Sequence, residues 1–269
     1  MPFTPSHAVV ALPFVRTPLV PAAVAIGAMT PDLPLFLRGF GITYSFTHTW
    51  ANLLWTMVLA LGLFLLWRVV LRPAASELSP RWLAQRLPHE WDSPASDAAA
   101  RAVGIGRPRA YGPLLVVSLA LGVTSHIVWD SFTHEARAGV ELLPALAEQW
   151  GPLLGYKWLQ YGSGILGIVI IAIWALWKVR RAEPRAAADR VLPGWVRIVW
   201  WLSLPVILVA AWIIGSVVYG PFTAEFTYRH LAYRMLPPAC GIWAMLTLGL
   251  CVVTAIVGGR HPVGAATPR

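Results

Sequence analysis

The stretch from Ile198 to Ala224, IVWWLSLPVILVAAWIIGSVVYGPFTA, contains no Asp, Glu, Lys or Arg. A helix that crosses the hydrocarbon core of a bilayer needs roughly 20 consecutive apolar residues, and this stretch is long enough. The whole chain has the same character, because 57% of its 269 residues are hydrophobic and only 12% are charged. A soluble globular domain carries about twice that share of charge. The sequence therefore excludes a water-soluble fold and predicts an all-α, polytopic helical membrane protein.

Other charge-free runs of similar length follow the same pattern along the chain. Tryptophans lie near their ends, where amphipathic rings suit the interface between membrane and water. Together the runs predict five transmembrane helices, over Thr49–Trp67, Ala110–Trp129, Trp158–Trp177, Ile198–Ala224 and Met235–Gly259.

The N-terminal segment, residues 7–30, is apolar but does not follow this pattern. It contains Arg16 and the prolines Pro13, Pro18 and Pro21. Proline removes a backbone donor and disrupts the interior of a helix. The segment is therefore predicted to be either a broken sixth span or a re-entrant pair of short helices, and in both cases its irregular backbone must be covered by protein or face a wet cavity.

The distribution of basic residues indicates the orientation of the chain. Seven Arg lie in residues 68–110 and six Lys or Arg lie in residues 178–197. Residues 130–157 and 221–234 hold only two each. Because loops rich in Lys and Arg stay on the cytoplasmic side, the first two loops are predicted to be cytoplasmic and the other two to face outward.

These observations predict one helical membrane domain over residues 1–269, in the inner membrane of a bacterium. Within it, residues 68–110 form a long cytoplasmic loop, either a flexible linker or a helix lying on the membrane surface. The net charge of +9 comes from basic residues scattered over loops, which excludes a nucleic-acid partner. Membrane lipids are the expected partners, and the sequence does not indicate an oligomeric state.

Ionisable groups inside or at the rim of a bilayer are costly, so each one suggests a functional site. In the helix predicted over Ala110–Trp129 and just beyond it, His126, Asp130 and Thr133 lie within about 60° of one another around the helix axis. A histidine and an aspartate one turn apart supply two of the ligands of a Zn²⁺-type site. The alternative for this spacing is a capped helix end at the membrane interface.

Three further segments carry polar residues that fit the same site. Asp32 ends the first apolar segment and His48 opens the first predicted span, and the charge count puts both on the outward side. His7 stands just inside a helix start. Each has a structural alternative, since Asp32 suits the N-terminus of a helix, His48 suits the interfacial belt, and His7 suits a surface position.

A second polar group opens the helix predicted over Trp158–Trp177. Lys157, Gln160 and Tyr161 share one helical face and are candidates for binding an anionic oxygen of a substrate, such as a phosphate ester. Arg229, in the next outward loop, is a further candidate. The alternative for Lys157 is a side chain that extends to the lipid headgroups.

Five short motifs, which follow one another in the first 170 residues, resemble those of a known protein family. They are MPFTPSH at 1–7, GAMTPDLP at 27–34, FTH at 46–48, SHIVWDSFTH at 125–134 and YKWLQYGS at 156–163.

The set resembles the domain-of-unknown-function 4184 family of bacterial membrane proteins. That family is distantly similar to predicted membrane-bound metal-dependent hydrolases. The hydrolase pattern tends to read Pro-Asp-x-Asp, whereas this chain has Leu33 and Pro34 after Asp32, so one carboxylate is missing and a one-metal site is easier to fill than a two-metal site. The resemblance implies a divalent cation, with zinc favoured over manganese or magnesium, on His7, Asp32, His48, His126 and Asp130.

We therefore expect a membrane-embedded hydrolase that acts on a lipid or lipid-linked phosphoester or ester at the outer face. His134 and Thr133 are the predicted catalytic residues, and Lys157, Gln160, Tyr161 and Arg229 the predicted substrate-binding residues. The alternative is a non-enzymatic transporter or partner-binding scaffold, in which the polar groups line a wet pathway or fasten helices together.

Overall fold

The computed structural model describes residues 4–39, 41–185 and 190–258, and most of these residues are helical. Five of the helices are long and apolar enough to cross a membrane. The predicted fold class, an all-α polytopic membrane protein, is confirmed. The five candidate spans are Trp50–Leu78, Tyr111–Thr133, Gly155–Arg181, Gly194–Tyr219 and Tyr228–Val257.

All five spans end at residues other than the sequence predicted, and the first and fourth differ most. The first continues past Trp67 through a π turn, Trp67–Leu71, and a further helix, Arg72–Leu78. The fourth ends at Tyr219 instead of Ala224 because Gly220 adopts a φ of 77° and is followed by Pro221. Glycine in that conformation and a proline beyond it are strong helix-ending signals.

The described residues form twelve α-helices, the long ones of the spans and shorter ones before and between them. In chain order they are α1 (Pro21–Met29), α2 (Leu33–Phe36), α3 (Tyr44–Thr47), α4 (Leu53–Leu66), α5 (Arg72–Leu78), α6 (Arg81–Ala84), α7 (Ala95–Ala102), α8 (Tyr111–Thr133), α9 (Ala138–Leu142), α10 (Gly155–Arg181), α11 (Gly194–Tyr219) and α12 (Tyr228–Gly258). A two-stranded hairpin, β1 (Gln149–Trp150) and β2 (Leu153–Leu154), precedes α10 and pairs Gln149 with Leu154 and Trp150 with Leu153.

The N-terminal segment is broken, as its prolines predicted. A 3₁₀ helix runs over Thr4–Phe14, residues 15–20 are not helical, and α1 follows. A second 3₁₀ turn, Thr30–Asp32, joins α1 to α2. Each piece is shorter than the roughly 20 residues that a helix needs to cross a bilayer.

The chain forms two compact units. The first comprises Met1–Pro34, Gly41–Leu65 and Val103–Arg181. In this unit α1 packs along α8, and the 3₁₀ helix Thr4–Phe14 packs on both α1 and α10. The N-terminal segment is thereby held against the two long helices that carry the predicted polar groups.

The second unit comprises Leu35–Phe40, Leu66–Ala102 and Ala182–Arg269. In it α11 packs against α12, and the indole nitrogens of Trp200 and Trp243 donate hydrogen bonds across that pair to Thr247 and Ser203, both at 3.0 Å. Residues 68–110, predicted to be a long loop, hold the end of the first span and the short helices α6 and α7.

The two basic loops that the sequence placed on one side of the membrane contact each other within the second unit. The Arg185 amide donates to the Gln85 carbonyl at 2.9 Å, and the Arg185 guanidinium pairs with Asp92. Arg190 donates to the Ser79 carbonyl at 2.7 Å. These contacts agree with the predicted common side of the two loops.

Candidate metal centre

Asp32 reaches the centre from the 3₁₀ turn that follows α1. This turn is compact because the Thr30 hydroxyl donates to the Ile26 carbonyl at 2.7 Å and Pro31 stands at its start. The Asp32 side chain is buried, and its Oδ2 accepts a hydrogen bond of 2.7 Å from the Thr4 hydroxyl. Its other oxygen, Oδ1, is left to face the two histidines described next.

His48 directly follows α3. The Thr43 hydroxyl caps this helix by accepting from the Phe46 amide at 3.2 Å, and the Thr47 hydroxyl donates to the Pro31 carbonyl at 2.7 Å. The second contact fixes α3 beside the turn that holds Asp32. The His48 Nδ1 lies 2.9 Å from the Tyr44 carbonyl, so this nitrogen carries the proton and Nε2 is left to face the centre.

His126 and Asp130 lie one turn apart on α8, as their spacing predicted. Close packing of α1 on α8 brings His126 to the α1 backbone, where its Nδ1 lies 2.7 Å from the Ala28 carbonyl. A carbonyl only accepts hydrogen bonds, so Nδ1 is the protonated nitrogen of His126 and Nε2 faces the centre. His126 is fully buried and Asp130 is 3% exposed.

Four ligand atoms converge at this point. Asp32, His48, His126 and Asp130 each offer one, and all four atoms lie within 4.8 Å of one another. The two Nε2 atoms are 3.1 Å apart, and each is 3.5 Å from Asp130 Oδ2. Asp32 Oδ1 lies 3.9 Å from the Nε2 of His48 and 3.7 Å from that of His126. Ligands around a tetrahedral Zn²⁺ are separated by about 3.3 to 3.6 Å, so these distances fit one cation.

The hydrogen bonds of the two histidines favour a positive charge at the centre. Both Nδ1 atoms donate to carbonyls, so in the neutral rings both Nε2 atoms are acceptors, and neither can donate to the other across 3.1 Å. Two carboxylates lie beside them. A divalent cation or a proton on one ring satisfies this arrangement, and the donor set of two imidazoles and two carboxylates fits a divalent cation.

His7 lies beside these four residues and is not one of them. Its ring packs on the His126 ring with centroids 4.1 Å apart, and its Nε2 is 3.8 Å from Asp130 Oδ1. Both atoms are buried, and neither makes a hydrogen bond to any residue that the structure describes. The position of His7 at the centre agrees with the sequence analysis, and its role as a metal ligand stays a prediction.

Tyr44 belongs to the centre and the sequence analysis missed it. Its hydroxyl donates to Asp130 Oδ2 at 3.0 Å, and its ring stacks on the His48 ring at 3.7 Å. Burial raises the pKa of Tyr44, so the hydroxyl stays protonated and remains a donor. In the sequence, Tyr44 precedes His48 by four residues, which is one helical turn, and this spacing could have indicated that the two side chains lie together.

His134 and Gln160 connect the centre to α10. The His134 Nδ1 lies 3.5 Å from Asp130 Oδ2, and its Nε2 lies 3.1 Å from the Gln160 amide nitrogen. Lys157 donates to the Gln160 amide oxygen at 3.1 Å, which turns the amide NH₂ toward His134. Burial lowers the pKa of His134, so the ring is neutral, accepts from Gln160 at Nε2 and carries its proton at Nδ1.

Comparison with known protein families gave a match over nearly the whole chain. The model described as Domain of unknown function (DUF4184) matches residues 1–257, which include every residue of the centre. The chain belongs to this family. Neither the curated proteins nor the solved structures compared with it gave a match. The DUF4184 match confirms the family named by the sequence motifs, and it assigns no activity.

The remaining predicted residues of this DUF4184 protein occupy different positions. Thr133 is buried with its hydroxyl 3.2 Å from His134 Nδ1. Tyr161 is 38% exposed on α10. Arg229 belongs to the second unit, where its Nε donates to the Tyr228 hydroxyl at 3.3 Å. Gln160 is buried and bonded at both ends of its amide, which favours a positioning role over direct contact with a substrate.

Proposed function

We propose that this protein binds one divalent cation at Asp32, His48, His126 and Asp130 and is a membrane-embedded metal-dependent hydrolase. The observation that supports the cation is the 3.1 Å separation of two imidazole Nε2 atoms whose rings both donate at Nδ1. The proposed substrate is a lipid or lipid-linked phosphoester or ester at the outer face of a bacterial inner membrane.

Charge balance supports one cation. The carboxylates of Asp32 and Asp130 carry two negative charges, and the histidines are neutral when they act as ligands, so one divalent ion neutralises the centre. The position of the second acid in the pattern Pro-Asp-x-Asp is taken here by Pro34. Two imidazole nitrogens favour zinc, while manganese and magnesium prefer sites richer in oxygen.

The residues around the cation have complementary roles in the proposed hydrolysis. When bound, such a cation polarises an ester or phosphoryl oxygen and stabilises the charge that develops on it. His134 holds its proton at Nδ1 beside Asp130 and the Thr133 hydroxyl, where the neutral ring can orient the Asp130 carboxylate by a hydrogen bond. Gln160 and Lys157 keep His134 in that tautomer.

The position of the centre supports a lipid substrate. Asp130 lies three residues before the end of α8, which corresponds to about 4.5 Å along the helix axis, and His126 lies one turn deeper. Helix α8 is apolar enough to cross a membrane. We infer that the centre lies near the rim of the hydrocarbon core. A lipid can reach this depth sideways from the leaflet.

Metal analysis of the purified protein tests the proposal. The wild type in detergent is expected to retain one equivalent of zinc or manganese, measured by inductively coupled plasma mass spectrometry. His126→Ala and Asp130→Ala are expected to lose it while eluting as folded protein in size-exclusion chromatography. His89→Ala, at an exposed histidine of the second unit, is the matched control. Equal metal content in all four proteins would contradict the proposal.

A non-enzymatic role is the second candidate, and the burial of the centre favours it. His126 is fully buried, and Asp32, Asp130 and His48 are 2%, 3% and 5% exposed. A cation or a protonated imidazole enclosed in this way fastens α1, α3 and α8 together without any reaction. A metal-loaded wild type that hydrolyses neither bis(p-nitrophenyl) phosphate nor p-nitrophenyl acetate would favour this candidate.

A further inference from the structure

His7 and the Oδ1 atom of Asp130 form a pair that the four-ligand centre does not use. The His7 Nε2 and Asp130 Oδ1 are both buried, 3.8 Å apart, and make no hydrogen bond to any other described residue. Buried polar atoms of this kind normally have partners, since leaving them unpaired costs about 1–3 kcal/mol each. Two such atoms facing each other indicate that they share an occupant.

The backbone of His7 is fixed by close packing. Ser6 lies against Gly167 of α10, where an added Cβ would come within 2.9 Å of the Ser6 carbonyl oxygen and 3.0 Å of its Cβ. The His7 ring rests on His126. The direction of Nε2 toward Asp130 Oδ1 therefore follows from tight packing on two sides.

The position of His7 argues against a fifth ligand on the same cation. Among the described residues, the group of ligand atoms that lie within 4.8 Å of one another comprises Asp32, His48, His126 and Asp130, without His7. His7 faces Oδ1 of Asp130, whereas the histidine ligands face Oδ2. A single cation bound through Oδ2 leaves His7 on the other side of the carboxylate.

Charge balance argues against a second cation between His7 and Asp130. One divalent ion already neutralises the two carboxylates of the centre. A second would add two positive charges with only a shared carboxylate and one imidazole to hold them. With the His7 proton on Nδ1, Nε2 is an acceptor, and a neutral occupant that donates two hydrogen bonds then fits both atoms.

We propose that His7 Nε2 and Asp130 Oδ1 together hold the attacking water of the hydrolysis. A water oxygen about 2.8 Å from both atoms bridges their separation of 3.8 Å with ordinary hydrogen bonds. Its two protons point at the two acceptors, so its lone pairs point away from them, toward a substrate. This inference rests on the proposed hydrolase function and assigns His7 a catalytic role in place of a ligand role.

The reaction balances with these groups. The water oxygen forms a bond to the phosphorus or carbonyl carbon, and one of its protons passes to His7 Nε2. The bond from that centre to the ester oxygen breaks, and the ester oxygen keeps the electron pair. The proton on His7 returns to solvent as the ester oxygen takes up a proton, so the products are an alcohol and an acid.

The test compares metal binding with hydrolysis in two variants. In His7→Gln, the glutamine amide keeps a hydrogen-bond acceptor near the position of Nε2 but is far less basic than imidazole. In His7→Phe, the phenyl ring keeps the packing on His126 and provides no acceptor. We measure zinc affinity by competition with a chromophoric chelator, and the visible absorption spectrum after cobalt substitution. Hydrolysis is measured with bis(p-nitrophenyl) phosphate and p-nitrophenyl acetate, and His89→Gln is the matched control.

Both His7 variants are expected to bind zinc within about threefold of the wild type, with an unchanged cobalt spectrum. Hydrolysis is expected to fall by about 10²-fold or more, the range for loss of a general base. A fall in zinc affinity of tenfold or more, or a changed cobalt spectrum, would show that His7 is a ligand and overturn the inference.

Unchanged hydrolysis in both variants would overturn it as well. These outcomes differ from failure of the proposed function, in which the wild type itself binds no metal or hydrolyses neither probe. In that case the water assignment fails together with the hydrolase.

Discussion

Gly122 of α8 lies directly against Gly27 of α1. A Cβ built on Gly122 would come within 2.9 Å of the Gly27 Cα and 2.8 Å of the Ala28 amide nitrogen, and it would overlap the Val24 carbonyl oxygen. Gly122 stands one turn before His126, which binds the Ala28 carbonyl. The absence of a side chain at these two positions therefore allows α1 to approach closely enough to hold His126 in its tautomer.

Gly122→Ala is expected to disturb both stability and the centre. The new methyl group meets backbone that can yield only if α1 moves, and overpacking of this kind costs about 1–3 kcal/mol. We expect a lower melting temperature in detergent and weaker zinc binding, because His126 loses its contact with Ala28.

Gly62→Ala on α4 is the matched control. Nothing lies within 4 Å of a Cβ at this position, so the substitution is expected to be neutral or stabilising. Equal melting temperatures for the two variants would contradict the packing argument.

Removal of the metal is expected to destabilise the wild type. A ligand present at 100 times its Kd stabilises the folded state by about 2.7 kcal/mol, so a chelator should lower the melting temperature and added zinc should restore it. His126→Ala should melt at the same temperature with and without chelator, because the binding site is gone. If the chelator lowered the melting temperature of both proteins equally, it would be acting somewhere other than the candidate metal centre.

Tyr44→Phe tests the hydroxyl that the sequence analysis missed. The phenyl ring keeps the stacking on His48, while the hydrogen bond to Asp130 Oδ2 is lost. Groups that orient a metal ligand typically contribute 10–100-fold to metal affinity, and we expect a loss of about tenfold by chelator competition. Tyr161→Phe, at an exposed position of α10, should leave the affinity unchanged. Equal affinities for both variants would mean that Tyr44 does not orient Asp130.

The sequence predicted those features of the structure that depend on residues close together in the chain. Charge-free runs predicted the five long helices, because only an apolar helix of that length satisfies its backbone inside a membrane. The one-turn spacing of His126 and Asp130 predicted their common face. The count of basic residues grouped the loops that contain Gln85 and Arg185, which the structure joins by a hydrogen bond.

The parts that the sequence did not predict depend on contacts between distant residues. The role of Tyr44 depends on α3 lying beside α8, which nothing near Tyr44 encodes. Gln160 suited a substrate site by composition, and only its contacts with Lys157 and His134 indicate a positioning role. The segment after Trp67 was predicted to be a loop because of its arginines, yet Arg72 is buried there and pairs with Glu90.

Gln160→Met tests the connection between α10 and the centre. Gln160 is 1% exposed, and methionine of similar volume removes the amide that joins Lys157 to His134. His134 Nε2 then loses its donor, and a buried acceptor left unsatisfied costs about 1–3 kcal/mol. We expect a lower melting temperature and slower hydrolysis of bis(p-nitrophenyl) phosphate with zinc content unchanged. Loss of zinc would instead assign His134 or Gln160 to the ligand shell.

Glu77→Gln tests whether the second unit has its own stabilising contacts. The buried Glu77 carboxylate accepts from the Val191 amide at 2.9 Å, the Leu192 amide at 3.2 Å and the Arg197 guanidinium at 2.7 Å. The amide of glutamine loses the charge and presents an NH₂ group to donors. Because breaking a buried ion pair costs about 3 kcal/mol, we expect a lower melting temperature and faster tryptic cleavage after Arg190.

Glu148→Gln, at an exposed position before β1, is the matched control for Glu77→Gln. Zinc content should stay at the wild-type level in both variants, because none of the contacts of Glu77 involves a residue of the candidate metal centre. Wild-type stability of Glu77→Gln would contradict the role of this carboxylate. Zinc loss in a Glu77→Gln protein that remains folded would show that the two units are coupled, because the ligands Asp32, His48, His126 and Asp130 all belong to the first unit.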